Sequence, residues 1–346
     1  MRSTTTRAAE LRGKRYVLIN SVDDPPAPEP DEVKVRIRAV ALNHIDVWSW
    51  RGMAFAERKL PIILGAEAAG DVIAVGDAVE NLFPGDTVAL YGAKTCGTCP
   101  ACREGRDNFC EGPAAMYGFH IDGFLRERIN VPARIAVKAP KGLNVVAAAC
   151  SPITFGTVEH MLFDNANLKA GETVLVQAGG SGIGTAAIQL AKAAGATVIA
   201  TVGSAEKAKK VIALGADHVI NYREERVSGR VRKITDRQGV DVVFEHVGPD
   251  TWEGSIMSLK RGGRLVTCGS TTGVAASTNL YLLFQRQLRL IGSFGCRMKN
   301  MESSMEKMAK GLVAPMIDTV IGLDEIENGL ERLEARDVFG KIVIAL

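Results

Sequence analysis

One stretch constrains this chain more than any other: Glu172–Val202, ETVLVQAGGSGIGTAAIQLAKAAGATVIATV. Thr173–Gln177 is a short apolar, β-branched run and predicts a buried strand. Gly179, Gly180, Gly182 and Gly184 then crowd together around Ser181 and Ile183, with Ser181 at the middle glycine of a G-x-G-x-x-G register. The run AAIQLAKAAG favours helix and stops on Gly195, and Thr197–Thr201 predicts a second buried strand. In a strand–glycine turn–helix–strand unit a pyrophosphate approaches the backbone closely and meets free N–H groups at the positive end of the helix dipole. The stretch therefore predicts a dinucleotide site. The plainer alternative is a βαβ unit whose glycines serve close packing alone.

A chain of 346 residues makes about two domains. With 47% hydrophobic and 23% charged residues it has the composition of a soluble enzyme. The net charge of +3 is too small to imply nucleic acid or a membrane surface. No apolar run approaches the ~20 residues of a membrane span, and the N-terminal MRSTTTRAAELRGK lacks the apolar core of a signal peptide. The expected location is the cytoplasm. Seven cysteines, four of them clustered, then favour metal over disulfides.

Strands are predicted at Tyr16–Asn20, Glu32–Val40, Val72–Val75 and Thr87–Leu90, with Gly/Pro turns between them. Short strands joined in this way predict a β-rich first domain over residues 1–140. From Val145 the texture changes. Strands are predicted at Thr173–Gln177, Thr197–Thr201, His218–Asn221, Val240–Glu245, Arg264–Thr267 and Arg289–Phe294. Helices at Ser204–Leu214, Glu225–Arg237 and Asp250–Leu259 lie between them, so residues 141–294 predict an α/β, doubly wound parallel sheet. The tail, 295–346, predicts helices at Met301–Gly311 and Leu323–Arg336 and a strand at Lys341–Ala345, folding back onto the first domain.

Cys96, Cys99, Cys102 and Cys110 follow the spacing C-x2-C-x2-C-x7-C, with Gly97, Pro100 and Gly105 permitting a tight loop. Four thiolates on one lobe close a tetrahedral shell around zinc and leave no open position, so the metal would be structural. An iron–sulfur cluster is the alternative occupant.

The chain resembles the medium-chain dehydrogenase/reductase family over nearly its whole length. The resemblance is carried by LNHIDVWSWRG (Leu42–Gly52), LGAEAAGDVIAVG (Leu64–Gly76), the four-cysteine loop, the glycine turn, LGADHVINYREE (Leu214–Glu225) and VDVVFEHVG (Val240–Gly248). It implies a GroES-like β domain, a Rossmann domain holding a nicotinamide cofactor, and an active site in the cleft between them. Alcohol dehydrogenases of this family hold a catalytic zinc on positions that correspond here to Asn43, Ala66 and Ile153. None of these supplies the thiolate or imidazole that zinc needs. Glu67 and Asp46 match residues that sit around that zinc, and Cys150 lies three residues from the third ligand position. Without a Lewis acid, hydride exchange with an alcohol loses its main stabilisation. A conjugated C=C bond needs only hydrogen-bond donors at its carbonyl. LNHIDV fits the zinc-free quinone/enone reductase branch, although Trp48 stands where reductases often have Tyr.

The expected activity is thus NAD(P)H-dependent reduction of α,β-unsaturated carbonyls or quinones, on a small-molecule carbonyl substrate. Two other readings stay open: a zinc alcohol dehydrogenase with ligands rearranged onto His44, Glu67 and Cys150, and a cofactor-bound regulatory or RNA-binding protein. The second strand ends on Val202 with no acid, and Ser204 and Lys207 follow. The expected cofactor is NADP, with NAD as the alternative. The resemblance brings Tyr222 and Arg223 near that end. Asn43 is the expected donor to the nicotinamide or the substrate carbonyl. His44 resembles a pyrophosphate-side residue, and Asp46 completes the expected catalytic group. Thr157 matches the Thr at the nicotinamide end. His246, Val247, Gly269 and Ser270 are expected along the cofactor crevice. Trp48, Trp50, Met53 and Phe55 wall an apolar substrate pocket or belong to the core. A homodimer joined through the edge strand Arg289–Phe294 is expected, with a tetramer as the larger option.

Overall fold

A computed structural model describes residues 5–52, 59–112 and 115–346. The chain divides into two compact units. One comprises Met1–Gly156, Cys296–Gly311 and Ile317–Leu346; the other comprises Thr157–Gly295 and Leu312–Met316.

The first unit is built on the strand Glu32–Ala41, whose Val33, Val35, Ile37 and Ala39 point inward while the charged residues between them stay outside. It pairs antiparallel with Ala68–Val75, Arg128–Pro132 and Lys341–Ala345. Ile317–Gly322 then adds parallel to Lys341–Ala345. The tail thus closes the sheet of the first unit, and Lys341 is delivered beside the C-terminal end of Glu32–Ala41. The neighbouring strand passes so close that a Cβ on Gly70 would sit 2.2 Å from the carbonyl oxygen of Arg36. A second sheet joins Tyr16–Asp23, Thr5–Gly13 and Ile62–Ile63.

This unit extends past the boundary expected at residue 140. Asn144 caps the helix Val145–Ala149 through Oδ1 and the Val146 N–H. The run continues as a π-helical turn, Ser151–Phe155, and as Gly156–Glu159 before a second π-helical stretch, His160–Asn165.

The second unit carries six parallel strands: Thr173–Val176, Thr197–Val202, His218–Asn221, Val240–Glu245, Leu259–Thr267 and Arg289–Gly292. Numbered along the chain they lie in the order 3-2-1-4-5-6. The order reverses between Thr173–Val176 and Val240–Glu245, which opens a crevice beyond their carboxyl ends. Leu175, Ile199, Ile220, Val231, Val243, Ile256 and Leu265 form the core beneath it. Leu259–Thr267 starts earlier than expected, because the polar LKRGG segment pairs through a register shift between Val240 and Val242. The last strand stops at Gly292, and Phe294 beyond it is exposed. No helix among the described residues is long and apolar enough to cross a membrane.

Candidate active site and metal centre

The sulfurs of Cys96, Cys99, Cys102 and Cys110 all lie within 4.8 Å of one another. The Cys96–Cys102 and Cys96–Cys110 Sγ distances are 4.0 and 3.6 Å. A tetrahedral zinc with Zn–S bonds of about 2.3 Å puts its sulfurs roughly 3.8 Å apart, so the four thiols fit that ion. Backbone N–H groups point at the sulfurs: Cys96 N to Cys110 Sγ at 3.3 Å, Cys99 N to Cys96 Sγ at 3.3 Å and Cys102 N to Cys99 Sγ at 3.5 Å. Such donors stabilise thiolates, and those of Thr98 and Cys99 hold the Cys96 thiol at about 5. Asp107 in the same lobe accepts the Met298 N–H at 3.1 Å, tying the lobe to the helix Met298–Ala309.

In the second unit the glycine turn has the form expected of an anion cradle. Ser181 caps the helix Gly182–Ala193 by accepting the Gly184 N–H at 3.0 Å. A Cβ on Gly184 would lie 2.4 Å from Ala178 O, so only glycine fits there. Among the described residues the N–H groups of Gly180, Gly182 and Ile183 have no protein acceptor. That is the donor set a pyrophosphate takes.

Beneath the turn runs a buried relay that sequence reasoning missed. Ser255 donates to Glu245 at 2.6 Å, Gln177 Nε2 donates to Ser255 at 3.0 Å, Thr201 donates to Gln177 Oε1 at 2.8 Å, and the Ala178 N–H donates to Thr201 at 2.9 Å. Glu245 also accepts the N–H groups of Val247 and Gly248 at 2.6 and 3.1 Å. His246 Nε2 donates to Gln177 O at 2.9 Å and lies 3.5 Å from Ser181 Oγ, and burial lowers its pKa. Gly269 presses on His246 O, where a Cβ would come within 2.8 Å, and Ser270 lies against Gly248. The structure thus brings Ser181, His246, Val247, Gly269 and Ser270 together around one end of the sheet.

At the end of the second strand Ser204 caps the helix Ala205–Ala213 through the Lys207 N–H. Tyr222 lays its hydroxyl over Gly203: a Cβ there would sit 2.4 Å from it. No carboxylate occupies 202–204.

The first unit holds the second group of expected residues. Asn43 precedes the helix His44–Trp50, and its backbone N–H donates to Asp46 Oδ2 at 2.8 Å. Its amide gives one hydrogen to Ala41 O at 3.0 Å and the other to Glu67 Oε2 at 2.8 Å. Both donors are spent, so Asn43 is a strut here and does not meet the expectation of a free donor to a substrate carbonyl. Glu67, fully buried, accepts the N–H groups of Ile153 and Thr154 at 2.7 and 2.5 Å on Oε1. Its Oε2 accepts Thr154 Oγ1 at 2.9 Å and Lys341 Nζ at 3.0 Å. Lys341, 3% exposed, sends its other donations to Leu42 O at 2.6 Å and Asn43 Oδ1 at 2.7 Å. Neither Lys341 nor Thr154 was among the expected residues. A lysine opening the apolar strand KIVIA was the available signal.

A catalytic zinc does not fit this donor set. Ala66 and Ile153 bring no ligand, Asn43 is committed on both sides, and Glu67 already takes five donors. The Cys150 thiol is fully buried, and burial pushes its pKa up. Asp46 is 1% exposed, and among the described residues its Oδ1 has no hydrogen-bond partner. Burial raises its pKa to about 6, against the Asn43 N–H and the Lys341 charge.

His44 opens its helix half-buried. Thr157 is buried in Gly156–Glu159. Trp50 is buried under the Arg15 guanidinium, 4.5 Å from its ring centre, and belongs to the packing rather than to a pocket wall. Met53 and Phe55 lie outside the described residues.

Two outcomes follow. Purified protein should hold one zinc per chain by elemental analysis, and Cys96→Ser should lose it and lower the melting temperature. Asp46 holds its proton more tightly folded than unfolded, so its ionisation costs stability as pH rises from about 4 to 6, in full above that. Asp46→Asn should therefore gain on the wild type by roughly 2 kcal/mol at pH 7 and lose that advantage by pH 4 in paired melting curves.

The family description "Zinc-binding dehydrogenase" matches residues 182–310, and "Alcohol dehydrogenase GroES-like domain" matches residues 29–141. The chain is 31% identical to an acryloyl-coenzyme A reductase of Metallosphaera sedula, over 98% of this chain and 99% of that one. It is 36% identical to a quinone oxidoreductase of Salmonella typhimurium, over 78% of this chain and 74% of that one. The crystal structure of an NAD-dependent alcohol dehydrogenase superposes with a TM-score of 0.93 at 36% identity, covering 98% of this chain and 99% of that one. With its GroES-like and Rossmann units, its four-thiol lobe and these relatives, the chain belongs to the medium-chain dehydrogenase/reductase family and is an oxidoreductase.

Proposed function

We propose that the chain is an NADPH-dependent reductase of α,β-unsaturated carbonyl compounds, with quinones as related acceptors. The observation that carries this is the closed cluster of Asn43, Glu67, Thr154 and Lys341, formed where Asn43, Ala66 and Ile153 stand in place of the zinc ligands expected of the family's alcohol dehydrogenases. Bound NADPH would supply the hydride. In such a reaction hydride goes to the β-carbon, negative charge collects on the carbonyl oxygen, and a proton joins the α-carbon. Protein hydrogen bonds suffice for that charge, so no metal is required of this site. An acryloyl-coenzyme A reductase and a quinone oxidoreductase among the relatives point the same way.

NADP is preferred over NAD on the geometry of the second strand's end. With no acid at 202–204, nothing repels a 2′-phosphate, and Lys207 and Tyr222 stand beside the Ser204 cap to receive it. The Cys96 lobe is assigned one structural zinc.

A second copy of this chain is the proposed partner. Arg289–Gly292 is an edge strand with one hydrogen-bonded neighbour, and the exposed Tyr281, Phe284 and Phe294 accompany it. An open edge beside an apolar surface is satisfied when two copies pair their edges.

Metal-chelated, desalted enzyme should oxidise NADPH with an enone or quinone from a panel of acceptors. Lys207→Ala should raise the KM for NADPH about tenfold and leave that for NADH nearly unchanged. No turnover with any acceptor, or turnover of alcohols that depends on added zinc, would overturn the assignment. Sedimentation should give a dimer or a multiple of it, and Phe284→Glu with Phe294→Glu should release monomer.

A further inference from the structure

The cluster around Glu67 joins four separate stretches of the first unit. Asn43 ends the loop after Glu32–Ala41, Glu67 precedes Ala68–Val75, Thr154 sits in the π-helical turn Ser151–Phe155, and Lys341 opens the last strand of the sheet. Within that turn the Phe155 N–H reaches back to Cys150 O, five residues away. The wide turn strips the Ile153 and Thr154 N–H groups of helical acceptors, and the Glu67 carboxylate takes both. That carboxylate is buried, and the Lys341 ammonium is the cation bonded to it. All three ammonium donations go to Leu42 O, Asn43 Oδ1 and Glu67 Oε2, so the lysine fixes the loop and the turn at once.

We propose that Lys341 is a positioning residue of the reaction centre: a fixed internal cation that locks Asn43 and the Ser151–Phe155 turn through Glu67. Its kinetic part rests on the reductase reading; the lock itself does not. The lock makes the centre independent of a second metal, because the polar atoms that a metal would recruit are already bonded. It also fixes the wide turn Ser151–Phe155 within the helical run that starts at Val145. The other titratable groups coupled to the pair are Asp46, whose carboxylate Lys341 stabilises, and Cys150, whose thiol lies in the field of both charges.

The experiment compares wild type, Lys341→Met, Glu67→Gln and the double variant by elemental analysis, melting temperature, NADPH affinity from fluorescence, and kcat and KM for an accepted enone. Removing one partner of a buried pair leaves the other charge uncompensated, whereas removing both does not. Lys341→Met should melt lower than the double variant, and zinc should stay at one per chain throughout. The kcat of Lys341→Met should fall about 10²-fold, as expected when reacting groups are displaced, with NADPH affinity within about twofold of wild type. The double variant should recover melting temperature but not kcat. Recovery of kcat together with melting temperature would reduce Lys341 to a structural role and overturn the proposal. So would wild-type kcat in Lys341→Met, or a second chelatable metal in the wild type whose removal abolishes activity. If Lys341→Met fails to fold, the double variant against wild type decides: wild-type kcat in the folded double variant overturns the lock, and a kcat lowered about 10²-fold at a near wild-type melting temperature upholds it. If the wild type reduces no acceptor, the reductase reading fails by itself, and the lock is then judged on metal count and the melting comparison.

Discussion

The ion pair between Lys341 and Glu67 holds together four separate stretches of the first unit. A carboxylate with no solvent exposure is costly to bury, and here the cost is offset by one cation and four neutral donors on two oxygens. Three of the donors come from Ile153 and Thr154 in one turn, one from Asn43 and one from Lys341. The geometry of Asn43, the π-helical turn and the last strand therefore depends on one carboxylate being fully satisfied. Partial satisfaction would be worse than an apolar core, because each lost donor leaves a desolvated lone pair.

The second unit solves a similar problem with neutral groups. Its relay from Glu245 through Ser255, Gln177 and Thr201 to the Ala178 N–H runs under the glycine turn. The relay holds the turn from below while the N–H groups of Gly180, Gly182 and Ile183 stay available above. Rigid support under an unsatisfied set of donors is what preorganised anion binding requires.

Much of this was legible in the residues. The parallel sheet followed from the alternation of apolar strands and Ala-rich helices, because buried parallel strands are continuous apolar runs. The four-thiol lobe followed from spacing alone. The metal-ligand departures at Asn43, Ala66 and Ile153 were also readable. Thr5–Gly13 was missed because TTRAAELRG is polar, its inward side carrying small residues such as Thr6 and Ala8. The end of the first unit at Gly156 was missed because one helical run, from Val145 onward, passes from one unit into the other. The role expected of Asn43 failed for a physical reason. An amide has two hydrogens, and only three-dimensional packing reveals that Ala41 and Glu67 take both. Lys341 and Thr154 were invisible because their partners lie far away in sequence.

The contact of Tyr222 with Gly203 limits how this chain can change its nucleotide preference. A side chain at 203 meets the phenol hydroxyl, the far end of a half-exposed tyrosine, and the ring must swing aside to admit one. The accessible single steps are at Val202, which is buried in the strand, and at Ser204, whose hydroxyl starts the next helix. An acid at 202 would place a charge in the core, whereas aspartate at 204 can accept the Lys207 N–H that Ser204 now takes and keep the cap. Of the three neighbouring positions, 204 is thus the one where an acid meets least resistance, because the residue that starts the next helix there can be acidic.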